Sequence, residues 1–280
     1  MSTLWLVATP IGNLGDLPPR AVQVLADSAL VCCEDTRRTG LLLQRAGIKA
    51  NRLAVCNEHT EHNRIDDVLA TLDGGGDVAV VSDAGTPGIS DPGERLVRAV
   101  TATEHTVSSV PGPSAAVMAV TISGLPTDRF VFEGFIPRKG RDRERRLADI
   151  AAEPRTIVMY EAPHRARRTL ADLRTVCGDD RPITVARELT KLHETVVRGV
   201  LGDIDIGEPR GEYVFVLGGR APDVAATDDA SIVAALSEAL ASGASARDSV
   251  ATVAASTGRA KREVYNLALT LKGQQGGSPS

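Results

Sequence analysis

Ser82-Asp83-Ala84-Gly85-Thr86-Pro87-Gly88-Ile89-Ser90-Asp91-Pro92-Gly93 is the stretch that decides the fold. It follows the apolar run Val78-Ala79-Val80-Val81, which reads as a buried strand, and precedes Glu94 to Val100, which reads as a helix. The run therefore stands where a parallel strand ends and a crossover helix begins, the edge at which open α/β sheets bind ligands. Its glycines allow close backbone approach or positive φ, and its two prolines stiffen it. Asp83 and Asp91 supply acceptors without bulk. Such a loop suits a small polar molecule; the competing reading is an ordinary β–α turn.

Outward from this loop, strand and helix patterns alternate. Strands are expected at Leu4 to Ala8, Leu30 to Glu34, Leu53 to Cys56, Val78 to Val81 and Thr106 to Val110, with helices between them. This alternation predicts a mostly parallel, helix-covered sheet over residues 1–112. Pro111-Gly112-Pro113 interrupts it. Residues 113–222 form a second α/β unit that opens with a small-residue helix, Ser114 to Val120. Five strands and only two clear helices follow, so antiparallel pairs are expected there. Residues 223–230 read as a linker and 231–272 as three short helices, the last two joined like a helix-turn-helix unit. The Gly/Ser/Gln-rich tail, 273–280, is expected to be disordered.

The formal net charge of -4 argues against a wholesale basic nucleic-acid coat but leaves room for local patches. Pro137 to Arg146 carries six basic and two acidic residues, and His164 to Arg168 adds three arginines. Arginine forks match phosphate geometry, although a solvated mixed-charge face would look the same. No apolar run reaches the ~20 residues of a membrane span, and the N-terminus lacks the basic start of a secretory signal. Cys32, Cys33, Cys56 and Cys177 form no C-x-x-C pair, so buried free thiols in a reducing, cytoplasmic setting are expected. His59, His62, His164 and His193 match no closed metal-site spacing. The Gly-containing loop Thr9 to Leu17 is neither a Walker nor a G-x-G-x-x-G sequence. With the Pro111 to Ala115 loop, it can line the same crevice as Asp83 to Ser90.

Seven runs occur in register: V-A-T-P-I-G-N-L-G-D-L from Val7, E-D-T-R-R-T from Glu34, S-D-A-G-T-P-G-I-S-D-P-G from Ser82, P-G-P-S-A from Pro111, F-E-G-F-I-P-R-K from Phe132, Y-E-A-P-H-R from Tyr160 and A-R-E-L-T-K-L-H-E from Ala186. In this order they resemble the tetrapyrrole methylase superfamily, and within it the branch that uses S-adenosylmethionine to methylate a cytidine 2'-hydroxyl of 16S rRNA in the small ribosomal subunit. The resemblance spans residues 4 to 272. It implies two α/β domains with the cofactor cleft between them, a C-terminal helical module and a homodimer. The cofactor-facing positions it implies are Asp83, Ala84, Gly85, Thr86, Pro87, Ile89 and Ser90, then Pro111, Ser114 and Ala115, then Tyr160 and Ala186. Asn13, Arg37, Arg138, Lys139, Arg165 and Arg187 carry over as substrate contacts. Glu161, Glu188, His164 and Asp83 stand near enough to help remove the hydroxyl proton, unranked among themselves. Two alternatives stay open: methylation of a tetrapyrrole in the same cleft, and a ligand-sensing regulator that binds duplex DNA through its helix-turn-helix. The five basic and two acidic residues of Arg247 to Lys272 are mildly permissive of the latter.

Overall fold

The computed structural model describes residues 1–57, 59–221, 229–242 and 244–275, without the side chains of 255 and 272–275. The first sheet is built from β1 (Thr3–Val7), β2 (Leu30–Cys33), β3 (Leu53–Val55), β4 (Val78–Val81) and β5 (Thr106–Val110), in the order β3-β2-β4-β1-β5. Every pairing in it is parallel. The helices α1 (Pro19–Asp27), α2 (Thr36–Arg45), α3 (Glu61–Asp73) and α4 (Glu94–Val100) make the crossovers. All four residues of β2 and all four of β4 are buried, as strands covered on both faces require. Cys32 packs into the cluster around Leu4 and Val68, and Cys33 into the opposite cluster around Leu25 and Ala79. Burial pushes the thiols of Cys32 and Cys56 up to about 12, so neither offers a thiolate near neutral pH.

The helix α5 (Ala115–Ile122) leads into the second sheet, built from β6 (Phe130–Phe135), β7 (Thr156–Glu161), β8 (Pro182–Arg187), β9 (Thr195–Val200) and β10 (Tyr213–Leu217). Its order is β6-β7-β10-β8-β9; β6 and β7 are parallel and the other pairs antiparallel. The helices α6 (Arg141–Ala152) and α7 (Pro163–Cys177) cover one face. On the other face, Ala116, Ala119 and Val120 of α5 pack against Val158, Val214 and Val216. Ile11, from the loop after β1, inserts into this same cluster. Small side chains let α5 lie close to the sheet, and Ile11 ties the two halves together.

Two compact units result, Met1–Arg220 with both sheets and the part from Ala221 onward. In the second, α8 (Asp229–Ala241), α9 (Ala246–Thr257) and α10 (Lys261–Gln275) share a core around Ile232, Leu236, Val253 and Val264. Asp229 and Ala230, expected in the linker, are already helical, while 222–228 lie outside the described residues. At the other end, α10 runs on through Gln275, into the segment expected to be disordered; 276–280 lie outside the described residues. Gly258 ends α9 with φ 67 and ψ 2, the left-handed cap the sequence punctuation points to.

Candidate active site

The C-terminal ends of β1, β2, β4 and β5 and the facing ends of β7 and β10 surround one cleft of about 420 Å³. That size suits a drug-sized ligand. Its first wall is the loop after β4, from Asp83 to Asp91. This loop is anchored by paired backbone bonds between Thr9 and Gly85, N–H to O at 2.9 and 3.0 Å. Gly85 takes φ 87, a conformation a β-carbon disfavours. Ser90 takes φ 61 despite its side chain, a strained position of the kind that gathers at functional sites. The bulged strand β6 meets it: Gly134 holds φ 61, and a β-carbon there would stand 3.0 Å from the Ser90 hydroxyl, so a side chain at this position would be strained and would push that hydroxyl aside.

The chemistry of the cleft is acidic on one side and aromatic on the other. Glu34, Asp83 and Asp91 all line it, with Arg38 the one cation lining it among the described residues. Arg38 pairs with Asp83 Oδ2 at 3.0 Å, while Asp83 Oδ1 is buried with no hydrogen-bond partner. Glu34 Oε1 accepts the Asp83 backbone N–H at 2.9 Å. Burial, and then the negative charge of Glu34, push the Asp91 carboxyl up to about 7. Burial also raises Glu34 above its usual carboxylate range. A cation placed here would satisfy Asp83 and restore the ionised form of Asp91. Opposite them, Tyr160 meets Phe132 and Phe135 edge to face at 5.0 and 5.6 Å, and its hydroxyl accepts the Ala116 N–H at 3.2 Å. Apolar area, aromatic rings and a few aimed polar groups are what a small-molecule site needs.

Of the cofactor-facing positions, Asp83, Ala84, Gly85, Thr86, Ile89, Ser90, Ser114, Ala115 and Tyr160 line the cleft. Pro87, Pro111 and Ala186 do not. Ala186 is fully buried in the α5 cluster, and Pro111 faces outward. Glu34, Arg38, Asp91, Phe135, Glu212 and Tyr213 line it as well. Glu34 was within reach of the sequence, because it follows β2 as Asp83 follows β4, and the same strand-end rule applies. Glu212 and Tyr213 precede or open a strand, so only its antiparallel pairing with β7 brings them to this edge.

Beside Asp83, the other three proton-acceptor candidates sit differently. Glu161 is buried with both oxygens engaged: Oε1 faces Arg165 Nε at 3.1 Å and accepts the Ala162 N–H at 2.9 Å, and Oε2 accepts the Thr169 hydroxyl at 2.5 Å. Glu188 Oε1 holds Lys191 Nζ at 2.8 Å and accepts the Glu212 N–H at 3.0 Å. His164 is exposed in the first turn of α7, next to cleft-lining Pro163.

The substrate candidates divide likewise. Arg138 and Lys139 are exposed just past β6, with no hydrogen-bond or ion-pair partner among the described residues. Arg37 is exposed and forks onto Asp35. Asn13 caps a 3-10 turn through the Gly15 N–H. Arg165 departs from the expectation of an open phosphate contact, because its guanidinium is largely buried between Glu161 and the Ile136 carbonyl. Arg143, in the basic stretch, is structural too. It is buried, holds Asp172 at 2.6 and 2.9 Å, and donates to the Pro137 carbonyl and the Thr169 hydroxyl. Arg143→Ala should lower unfolding free energy by about 3–5 kcal/mol, since it strands partly buried Asp172 and opens a void. Urea unfolding checks this, and a loss below 1 kcal/mol would contradict it. Arg259, in the C-terminal unit, is bound to Asp229 and Glu263 at 3.0 and 2.8 Å. That removes one of the cations on which the duplex-binding reading leaned.

Comparison with known proteins agrees with this arrangement. A family model for tetrapyrrole (corrin/porphyrin) methylases matches residues 3–205. A protein of Synechocystis sp. named ribosomal RNA small subunit methyltransferase I is 44% identical over 277 residues, covering 97% of this chain and 99% of that one. Among solved structures, the methyltransferase CobJ superposes with a TM-score of 0.60 at 21% identity, over 79% of this chain and 95% of its own. Uroporphyrin-III C-methyltransferase from Thermus thermophilus, complexed with S-adenosylhomocysteine, gives 0.53 at 18% identity, over 78% and 97%. The likeness to the two solved structures is one of fold, whereas the first relative matches along almost the whole chain. The two-sheet architecture, the strand-end cleft and these matches together show that the chain belongs to the tetrapyrrole methylase family, in the group of ribosomal RNA small subunit methyltransferase I.

Proposed function

We propose that this protein transfers a methyl group from S-adenosylmethionine to the 2'-hydroxyl of a cytidine ribose in the 16S rRNA of the small ribosomal subunit, as a cytoplasmic homodimer. The observation that carries the reading is the cleft at the strand ends, acidic on one wall and aromatic on the other, in a chain 44% identical to a named rRNA methyltransferase. The residues present fit S-adenosylmethionine. The unpartnered Asp83 oxygen and the strained carboxyl of Asp91 suit its positively charged groups. Gly85 and the Ser114–Ala115 turn leave backbone room, and Tyr160, Phe135 and Ile89 offer apolar contact. When bound, the cofactor supplies a methyl group already activated by its sulfonium charge. The protein's task is then alignment, which can supply much of the rate.

The chain's own groups do the rest. Asp83 and Asp91 sit on a loop fixed to β1 by the Thr9–Gly85 bonds, so a ligand held there is held rigidly. Ile11 and α5 close the cleft floor against water. Of the four proton-acceptor candidates, Asp83 pairs with Arg38 and faces the donor in this reading, Glu161 is committed to Arg165 and Thr169, and Glu188 to Lys191 and the Glu212 N–H, whereas His164 stands without a hydrogen-bond or ion-pair partner among the described residues. We therefore assign His164 as the base and Glu161 as the group that orients the start of α7. Exposed Arg138 and Lys139 contact RNA phosphates, and the 2'-hydroxyl target distinguishes RNA from DNA. Methylation of tetrapyrroles is the weaker reading, because the structures with such names share 17–21% identity with this chain.

The test is mass spectrometry of 16S rRNA from cells with and without the gene, and after purified protein and S-adenosylmethionine are added to undermethylated subunits. One ribose methyl on a cytidine, absent without the protein and restored by it, is expected. An rRNA methylation pattern that is unchanged in both experiments would overturn the assignment.

A further inference from the structure

Arg187 ends β8 and differs from its neighbours in one respect. Arg143, Arg146, Arg155, Arg165, Arg174, Arg181 and Arg198 of the same half are all bound to carboxylates or carbonyls. The Nε of Arg187 is buried with no hydrogen-bond partner, and no other nitrogen of its half-buried guanidinium has one among the described residues. Leaving such a donor unpaired is costly in the free protein. The carboxylate next in sequence attracts it by charge but gives it no hydrogen bond, because Glu188 accepts from Lys191 and from the Glu212 N–H. Glu188 and Thr190 both hold positive φ, 52 and 67, so the backbone is strained just where the guanidinium is left free. Strain at non-glycine residues beside a cleft is a feature of ligand-binding segments.

The register places this guanidinium. Arg187 pairs with Tyr213, and Tyr213 pairs with Glu161. Directly opposed residues share a face, so the three form a row across β8, β10 and β7. Tyr213 and Glu161 line the cleft, so Arg187 stands one strand beyond it. β6, β7 and β8 all run in one direction, which brings their C-terminal ends to a single edge. Arg138 and Lys139 follow β6 at that edge. β6 and β8 are three strand spacings apart, about 14 Å. That is several times the ~3.4 Å rise per nucleotide of a strand, so groups anchored on these two strands are spaced to engage different phosphates. The cleft opens between them.

We propose that Arg187 grips the RNA phosphodiester on one side of the target ribose, with Arg138 and Lys139 holding the backbone on the other, so that the strand is drawn across the cleft mouth. The proposal rests on the rRNA reading above. A free Nε beside free Nη groups is the planar fork that binds two phosphate oxygens at once. An unpaired fork at the cleft edge could instead take the carboxylate of the methyl donor, and the experiment separates the two.

Arg187→Ala and Arg187→Lys are compared with the wild-type chain on undermethylated small subunits, with donor affinity measured by calorimetry. Expected are a tenfold or larger rise in the KM for subunits in both variants, and a salt dependence of RNA binding flatter by about one counterion. Lysine should not rescue, because it lacks the fork. Donor affinity should stay within twofold, and the melting temperature should change little, since no hydrogen bond within the protein is removed. Wild-type KM in a folded Arg187→Ala variant overturns the proposal. So does a loss of donor affinity with unchanged KM for RNA, or full rescue by lysine. A wild-type chain that leaves subunits unmethylated would refute the functional reading instead.

Discussion

Gly85→Val should abolish binding of S-adenosylmethionine while leaving a folded chain. Gly85 holds φ 87, where a β-branched residue is strongly disfavoured. A β-carbon there would be in ordinary contact, 3.4 Å from Ile11 and 3.8 Å from the Pro113 carbonyl, so backbone strain and not collision is the main effect. The strain should release the paired Thr9–Gly85 bonds and move Asp83 and Thr86, which share the loop. Neither α4 nor β4 depends on those bonds, so the sheet should survive. Calorimetric titration with S-adenosylmethionine, alongside circular dichroism, checks this. Wild-type affinity in a folded variant would show that the loop does not carry the donor.

Asp91→Asn should weaken donor binding roughly ten- to hundredfold, the worth of a charge-assisted contact. It should also change how pH acts on the protein. The Asp91 carboxyl moves from 3.8 to about 7, mainly through burial. Between about pH 4 and pH 7 the folded chain therefore keeps a proton that the unfolded chain has lost. Stability attributable to this group falls as pH rises through that window, and above 7 the whole penalty of a buried carboxylate remains. The asparagine variant lacks that penalty. It should melt higher than wild type at pH 8 and level with it near pH 4. Donor binding runs the other way, because a cation favours ionised Asp91. Wild-type affinity should climb as pH passes through about 7, and the variant's should stay flat. Equal melting temperatures at pH 8 with equal donor affinities would remove Asp91 from the site.

These two residues also show what could be read in advance. Gly85 was legible, since a Gly/Pro/Asp loop after a four-residue apolar strand has few other structural uses. Asp91 was legible as an acceptor, but its raised protonation comes first from burial in the folded cleft and then from Glu34, fifty-seven positions earlier in the chain, and no local pattern records either. Arg165 and Arg143 illustrate the opposite error. In sequence they belong to basic runs, and only the packing of α6 and α7 on their sheet shows that Glu161 and Asp172 had claimed them.

What the sequence determined by itself was the succession of strands and helices, the parallel character of the first sheet and the location of the cleft at its strand ends. Those follow from local hydrophobic period and from glycine and proline placement, which act over a few residues. Only the tertiary structure decided which charges are free. A carboxylate or guanidinium is available to a ligand when no partner reaches it, and partners here come from the pairing of β7, β10 and β8 and from helices as far as 45 residues away. Arg187 and Arg165 look alike in the chain; the strand order leaves one unpaired at the cleft edge and buries the other against Glu161.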